Sequence, residues 1–225
     1  IIVEMFPVSA KVGALALLWA IIVGVPLGCL AAFKRGKLTD SILRVICTLG
    51  ISMPSFVVAS VLLVTLTGDG ALNLFPSIFD ASQGIRAYIL PCIALGFYPM
   101  CYTARQTRSA MLDSLSQEYI KTARAKGLKN KKIIFKHALR NALIPVITNL
   151  GPQVAVTVCG GFVVERVFSI PGLGRYFVQS IQNRDYPVIM GTTIFLATFI
   201  ILMNLVVDLL YKVADPRISL TKGGD

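Results

Sequence analysis

Five long stretches of the chain carry almost no charge, and each is long enough to cross a lipid bilayer as a helix. They are residues 12–33, 45–66, 87–104, 142–164 and 188–211. The hydrocarbon core of a bilayer is about 30 Å thick and needs roughly 20 helical residues to cross it. Only 15% of the residues are charged, whereas soluble domains carry about 25%. The sequence therefore predicts an all-α integral membrane protein with five spanning helices.

The basic residues indicate which ends of these spans face the cytoplasm. The segments 34–44, 105–141 and 212–225 together hold 17 of the 22 Lys and Arg residues. Because Lys and Arg beside spans are retained on the cytoplasmic side, we expect these three segments inside and the start of the chain outside. This distribution also explains the net charge of +11 without a nucleic-acid partner. The chain begins with no basic leader or cleavable signal, so we expect one further span upstream, which makes six in the parent protein.

The rest of the composition indicates a single membrane domain over residues 1–225, without internal repeats. All five cysteines fall inside predicted spans, and no Cys-x-x-Cys pair is present. We interpret them as small apolar packing residues. His137 lies on a basic segment with no second ligand nearby, which argues against a metal site.

The segment 105–141 has a helical pattern that is unusual for a connection between spans. Ser114 followed by Gln117 fits a capping box, and Gly127 fits a C-terminal helix stop. Asn130 is placed to cap a second helix that runs toward the fourth span. The sequence therefore predicts a helix, a tight glycine turn and another helix.

The residues around this turn are either small or basic, and they admit two interpretations. The small or apolar ones are Ala123, Ala125, Gly127 and Leu128, and the lysines around them are Lys126, Lys129, Lys131 and Lys132. Small residues allow a partner to approach closely and a basic rim attracts an acidic partner, so the turn suits a protein docking site. The same basic residues suit an amphipathic helix on anionic lipid headgroups. Composition leaves both interpretations open.

The external segment 165–187 contains Pro171-Gly172-Leu173-Gly174-Arg175. These glycines do not form a phosphate loop, because no strand precedes them and no Gly-Lys-Ser/Thr follows. The simplest interpretation is a turn that re-enters the membrane edge and packs against the spans. Prolines within or between the spans predict bends, which membrane helices tolerate where neighbours or a water-filled path satisfy the freed backbone groups.

Asp208 is the one acidic residue well inside a predicted span. Charges within a membrane are candidates for a functional role, and a stand-alone channel or ion-coupled carrier would use this one. Lys212 lies four residues later and is placed to pair with Asp208. A structural anchor near the cytoplasmic end of the span is therefore the competing interpretation.

Two stretches of the cytoplasmic segment match a known pattern. Residues 118–128 are EYIKTARAKGL and residues 137–145 are HALRNALIP. They resemble the EAA loop of binding-protein-dependent ABC importers, in the version of the oligopeptide and dipeptide permease family. Ala123, Gly127 and Leu139 keep the general family spacing. The departures from it, which look typical of the peptide branch, are Lys121, Thr122, His137 and Arg140.

The resemblance covers nearly the whole chain and is closest to the B-type subunit of oligopeptide importers. Further similar stretches are residues 6–10, 50–56, 168–175, 183–186, 208–211 and 215–217. The resemblance implies a type I ABC importer permease fold with a cytoplasmic coupling helix, in the bacterial plasma membrane. It implies translocation of oligopeptides by alternating access, with dipeptide and nickel importers of the same family as alternatives.

The resemblance also implies the partners of this chain: a second homologous permease subunit, two cytoplasmic ATPase subunits and an extracytoplasmic peptide-binding protein, besides membrane lipid. The chain contains no Gly-x-x-x-x-Gly-Lys-Ser/Thr loop, so it is expected to be a transport subunit rather than an enzyme, with ATP and Mg in the ATPase subunits. The implied ATPase-docking residues are Lys121, Thr122, Ala123, Ala125, Lys126, Gly127, Leu128 and Lys129. The external residues Pro171, Gly172, Leu173, Gly174 and Arg175 are interpreted as a binding-protein contact or a gate.

Overall fold

The structure, a computed structural model, consists almost entirely of helices in the part of the chain that it describes. It describes residues 1–68, 72, 74–129, 132–159 and 161–214, with only the backbone at residues 208 and 210–214. The α-helices are α1 (Ile2–Phe33), α2 (Leu38–Ser52), α3 (Ser55–Leu66), α4 (Arg86–Ser116), α5 (Glu118–Ala125), α6 (Arg140–Val158), α7 (Phe162–Val167), α8 (Leu173–Gln182) and α9 (Tyr186–Ala214). A 3-10 turn at Ala81–Gln83 precedes α4, and a π-helical turn at Ile133–Leu139 leads into α6.

Within the described residues, four helical runs are long and apolar enough to cross a membrane, and α2 with α3 forms a fifth if the pair is one span. Several helices extend beyond the predicted apolar stretches. α1 has 32 residues, which at 1.5 Å per residue is about 48 Å and exceeds the hydrocarbon thickness. Its outer turns therefore lie beyond the apolar layer, which is why hydropathy alone places the helix start too late.

The second predicted span, residues 45–66, is not a continuous helix. It divides at Met53–Pro54 into α2 and α3, which meet at 107°. Proline lacks the N–H that a continuing helix needs and disfavours helical geometry in the residue before it. Met53 is accordingly extended, with φ −84° and ψ 126°. Pro91 and Pro99, by contrast, lie within the continuous helix α4.

α1 and α4 pack side by side through most of the bundle and run in the same direction. Gly24 of α1 lies against Met100 of α4, and Gly28 lies against Ala104, one turn further along both helices. A Cβ atom at Gly28 would come within 2.5 Å of the Ala104 carbonyl oxygen. Small residues let membrane helices approach this closely, so these glycines set the distance between α1 and α4.

The helix directions bring the basic segments together at one end of the bundle. α6 runs opposite to α1, because Gly13 near the start of α1 lies against the end of α6. Asp40 at the start of α2 contacts Arg108 in the second half of α4. The segments 34–44 and 105–141 therefore share one end, called here the basic end. The predicted cytoplasmic residues 215–225 lie outside the described residues.

α4 continues through the position where the sequence predicts a new helix to begin. Ser114, the predicted capping residue, lies inside α4. Its hydroxyl lies 2.6 Å from the Tyr119 hydroxyl and donates to the Ala138 carbonyl oxygen at 3.0 Å. The helix ends instead at Gln117, whose backbone is extended (φ −73°, ψ 153°). The capping-box prediction is wrong, because Ser114 lies inside α4 and no helix begins there. Asn130, the predicted cap of the second helix, lies outside the described residues.

The fourth predicted span, residues 142–164, is longer at its start and interrupted near its end. The π-helical turn passes directly into α6, so helical structure begins well before residue 142. The chain then leaves the helix after Val158 and resumes as α7 at Phe162. The predicted second helix of the basic segment and the fourth span are thus one helical run.

Candidate functional site

The short helix α5 and the turn after it form the centre of the candidate site at the basic end. Gly127 has φ +71°, a left-handed conformation that glycine adopts without steric cost. The Leu128 N–H donates to the Ala123 carbonyl oxygen at 3.3 Å, and the Gly127 N–H donates to the Arg124 carbonyl oxygen at 2.9 Å. This pair of hydrogen bonds is a Schellman motif. It confirms that Gly127 ends the helix as the sequence predicts.

One face of α5 is buried against the spanning helices. Ile120 is 1% exposed and Ala123 is 6% exposed. They belong to a group of buried apolar residues, called here the inner cluster, which is Ala32, Met111, Ile120, Ala123, Ile133, Ala138 and Ala142. The cluster joins α5 to α1, α4, the π-helical turn and α6. Ala123, which the resemblance assigns to ATPase docking, therefore packs within this chain.

The other predicted docking residues form a solvent-accessible surface around the turn. We call it the exposed face of α5, and it consists of Lys121, Thr122, Ala125, Lys126, Gly127 and Lys129. Leu128 is half-buried and packs against the inner cluster. Lys121 pairs with Glu118 at 2.7 Å, but both side chains are well exposed, so this pair stabilises the helix only slightly. The exposed face of α5 thus combines small residues with positively charged lysines.

A polar cavity of about 270 Å³ lies beside α5. Its polar side chains come from α4, the α4–α5 junction, α5 and α6, and are those of Gln106, Ser109, Asp113, Ser114, Gln117, Tyr119, Asn141 and Asn149. The rest of the wall is formed by Ala110, Ala142, Pro145 and Val146. Such a density of amide, hydroxyl and carboxylate groups between apolar helices can bind water or a polar solute by hydrogen bonds. The cavity gives the basic end a recess with a partly polar lining beside α5.

A second cavity, of about 450 Å³, lies at the bend between α2 and α3. It is bordered by α4 and by the end of α6, and its hydroxyl groups come from Ser52, Ser55, Tyr98 and Thr157. The break in the α2–α3 span lies at this cavity, as expected where irregular backbone at membrane depth borders a cavity. The two cavities lie against different parts of the same pair of helices, α4 and α6.

The predicted external residues Pro171–Arg175 pack against the start of α1. The Leu173 N–H donates to Ser9 Oγ at 2.9 Å, and Leu173 itself is 0% exposed. The Arg175 N–H donates to Glu165 Oε2 at 3.0 Å. The structure thus places this turn against the spans, while the side chains of Pro171 and Arg175 are exposed. The turn leads into α8, which the sequence analysis did not predict.

The structure shows two buried carboxylates, Asp40 and Glu165, that were not predicted from the sequence. Asp40 is 1% exposed and accepts hydrogen bonds from Arg108 Nε at 2.7 Å and Arg108 Nη2 at 2.9 Å. Glu165 is also 1% exposed, and its Oε1 has no hydrogen-bond partner among the described residues. One sequence signal could have identified Glu165, because it is an acidic residue that directly follows the apolar residues Phe162, Val163 and Val164.

Asp208, the acidic candidate of the last span, cannot be compared with its prediction, because its side chain and that of Lys212 lie outside the described side chains. Asn204, one turn earlier, has a buried Oδ1 without a hydrogen-bond partner among the described residues.

Comparison with known proteins agrees with this arrangement. A family model described as "Binding-protein-dependent transport system inner membrane component" matches residues 24–220. The dipeptide transport system permease protein DppB of Bacillus subtilis (strain 168) is 49% identical over 219 residues, which cover 97% of this chain and 70% of that protein. The protein of the same name in Escherichia coli (strain K12) is 40% identical over 243 residues, covering 96% and 72%.

Two solved structures are similar in fold. An amino acid ABC transporter has a TM-score of 0.67 at 18% identity, covering 96% of this chain and 94% of that chain. The MetNI methionine ABC transporter in an inward-facing conformation has a TM-score of 0.68 at 16% identity, covering 95% and 96%. At this identity the likeness concerns the fold, which is that of ABC importer permeases.

Proposed function

We propose that this chain carries peptides across the bacterial inner membrane, because it belongs to the family of binding-protein-dependent transport system inner membrane components. The members of this family are permease subunits of ABC importers. In this proposal it works with a second homologous permease, two cytoplasmic ATPase subunits and an extracytoplasmic peptide-binding protein. The single observation that carries the proposal is the similarity to dipeptide permeases over 97% of the chain.

The names of the relatives favour short peptides as the cargo. They are called dipeptide permeases, and one from Pseudomonas aeruginosa is called a di/tripeptide permease. The sequence resemblance implied oligopeptides, with dipeptide and nickel importers as alternatives, and we propose dipeptides and tripeptides. We expect excess tripeptide to inhibit the uptake of a labelled dipeptide. We expect neither a pentapeptide nor nickel to inhibit it. Equal inhibition by the pentapeptide would restore the oligopeptide assignment.

We propose that the exposed face of α5 is the surface on which an ATPase subunit docks. Its lysines suit an acidic groove, and its small residues permit a close approach. Ala123 and Ile120 act from the other side of the helix, where they join α5 to the inner cluster. Movement of a docked ATPase would then reach the spanning helices through packed side chains rather than through a flexible loop.

Alternating access requires this coupling to be strong. Shifting an equilibrium from 1:99 to 99:1 takes about 5.5 kcal/mol of differential affinity. We propose that both cavities belong to the peptide pathway, the one at the α2–α3 bend and the one beside α5 at the basic end. Hydroxyl and amide groups there can replace the water that peptide N–H and C=O groups lose on entering the membrane.

The docking proposal is tested by Ala125→Trp, because Ala125 is exposed and a larger side chain there leaves the inner cluster intact. We expect the variant to reach the membrane at the normal level, to lose at least about 90% of the copurifying ATPase and to lose ATP-driven uptake. The matched control is Ala81→Trp, an exposed alanine in the turn before α4, which should behave as wild type. Normal uptake by Ala125→Trp would contradict the docking role. Uptake that survives ATP depletion would contradict the importer itself.

A further inference from the structure

A third cavity, of about 270 Å³, lies at the basic end between α1, α2 and α4. Its floor is apolar and comes from all three helices, with Leu27, Gly28, Ala31, Leu43, Cys47 and Ala104. Its rim carries three arginines: Arg44, Arg105 and Arg108. Thr48 and Ser109 complete the lining, and Ser109 also lines the cavity beside α5. None of the three arginines takes part in the proposed docking surface or peptide pathway.

The rim of this cavity has an excess of positive charge. Asp40 is the carboxylate that contacts these arginines. Its Oδ1 lies 2.7 Å from Arg108 Nε and 3.6 Å from Arg44 Nε. Arg105 pairs with no carboxylate among the described residues, and its guanidinium lies 6.0 Å from the centre of the Tyr102 ring. One carboxylate therefore faces three guanidinium groups, and Arg105 and much of Arg44 remain available to an anion.

The surroundings of the cavity determine which anion fits. Next to it, α2 exposes an apolar strip made of Ile42, Val45, Ile46 and Leu49, each about half exposed. A strip of this kind on a spanning helix is covered by acyl chains in a bilayer. The cavity is smaller than the roughly 300–1,000 Å³ that drug-sized ligands occupy. A compact anionic group attached to a hydrocarbon chain matches both features.

We propose that this cavity, the arginine cavity, binds the headgroup phosphate of an anionic phospholipid. Arg44 and Arg105 donate to the phosphate oxygens, as guanidinium groups do in bidentate pairs, and the acyl chains follow the apolar strip of α2. Basic recesses between spanning helices on the cytoplasmic side are suited to anionic headgroups. Arg108 stays bound to Asp40 and holds α2 against α4, so the site is built before the lipid arrives.

The test measures binding of phosphatidylglycerol to the full-length permease, purified with its partner subunits, by native mass spectrometry. The variant Arg44→Gln with Arg105→Gln removes both available guanidinium groups and keeps the Asp40–Arg108 pair. The matched control is Lys34→Gln with Lys37→Gln, which removes the same charge from exposed side chains of the neighbouring turn. We expect the dissociation constant to rise at least about tenfold in the arginine variant, since charge-assisted hydrogen bonds are lost, and less than about twofold in the control.

Three results would overturn the proposal. Equal losses in the two variants would show diffuse attraction to the surface rather than a site. Phosphatidylcholine binding as tightly as phosphatidylglycerol would show that only the apolar strip matters. Displacement of the lipid by millimolar sodium phosphate would assign the site to a soluble anion. If the double variant fails to assemble, Arg105→Gln alone provides the same comparison, because it leaves the contact of Arg44 with Ser41 in place.

Discussion

At the scale of single residues, Asp40 connects several parts of the basic end. Its carboxylate accepts two hydrogen bonds from Arg108, and its Oδ2 also accepts the Gly36 N–H at 3.0 Å. It therefore joins α4, α2 and the turn between α1 and α2. Removing one partner of such a buried pair leaves the other charge without compensation.

We predict that Asp40→Asn destabilises the protein by about 2 kcal/mol, since hydrogen bonds to a charged group are lost. For a chain of this size the thermal midpoint in detergent should fall by roughly 4–8 °C. Asp113→Asn is the control, because it removes the same charge from an exposed position of α4. Equal thermal midpoints for the two variants would contradict the role of Asp40.

The sequence could not have predicted these residue-scale contacts. Asp40 and Arg108 are 68 positions apart, and no local spacing relates them, so each basic residue counted only toward the sidedness of the chain. Gly127 is the opposite case. A helix stop depends on the few residues around it, so the pattern predicted it correctly. Ser114 failed as a cap because α4 continues through it to Ser116.

At the scale of elements, the attachment of α8 to α1 depends on the absence of a side chain at Gly172. A Cβ atom there would meet the Glu165 carboxylate and would come within 2.6 Å of Ser9 Oγ. Glu165 is buried, so it has little room to move. A methyl group at this position would therefore have to displace the buried Glu165 carboxylate or move the turn away from α1.

We predict that Gly172→Ala displaces α8 from α1, which lowers the thermal midpoint and increases protease cleavage between α7 and α9. Gly191→Ala is the matched control, because a Cβ atom at Gly191 in α9 would meet nothing within 4 Å. The control should be neutral or stabilising by up to about 1 kcal/mol, the difference in helix propensity between alanine and glycine. Similar cleavage of the two variants would refute the close contact.

The existence of the elements was more predictable than their ends. Hydropathy found the five apolar stretches, because the bilayer thickness imposes their length. It could not find the continuation of α4 to Ser116, since that part of the helix lies beyond Ala104, where charged residues begin. Hydropathy also could not show that the span bends by 107° at Pro54 while the helix continues through Pro91. Neighbouring helices decide that difference.

At the scale of the whole molecule, the orientation predicted from charge can be tested by labelling from one side. The native cysteines are buried or half-buried, and such thiols react slowly. In intact cells, an impermeant maleimide should label Ser82→Cys, in the exposed turn before α4, and should not label Lys126→Cys. Permeabilised cells should show labelling of both, which is the control. Labelling of Lys126→Cys from outside would invert the orientation and exclude docking of a cytoplasmic ATPase.

The inner cluster determines how a force applied at α5 would spread. Ala32 belongs to α1, Met111 to α4 and Ala142 to α6, and all three pack in the same cluster as Ile120 of α5. A displacement of α5, which has eight residues, would therefore move α1, α4 and α6 together through their contacts in the inner cluster. We expect these three helices to tilt together as one stiff unit, and α2 to follow them, because the Asp40–Arg108 pair joins it to α4.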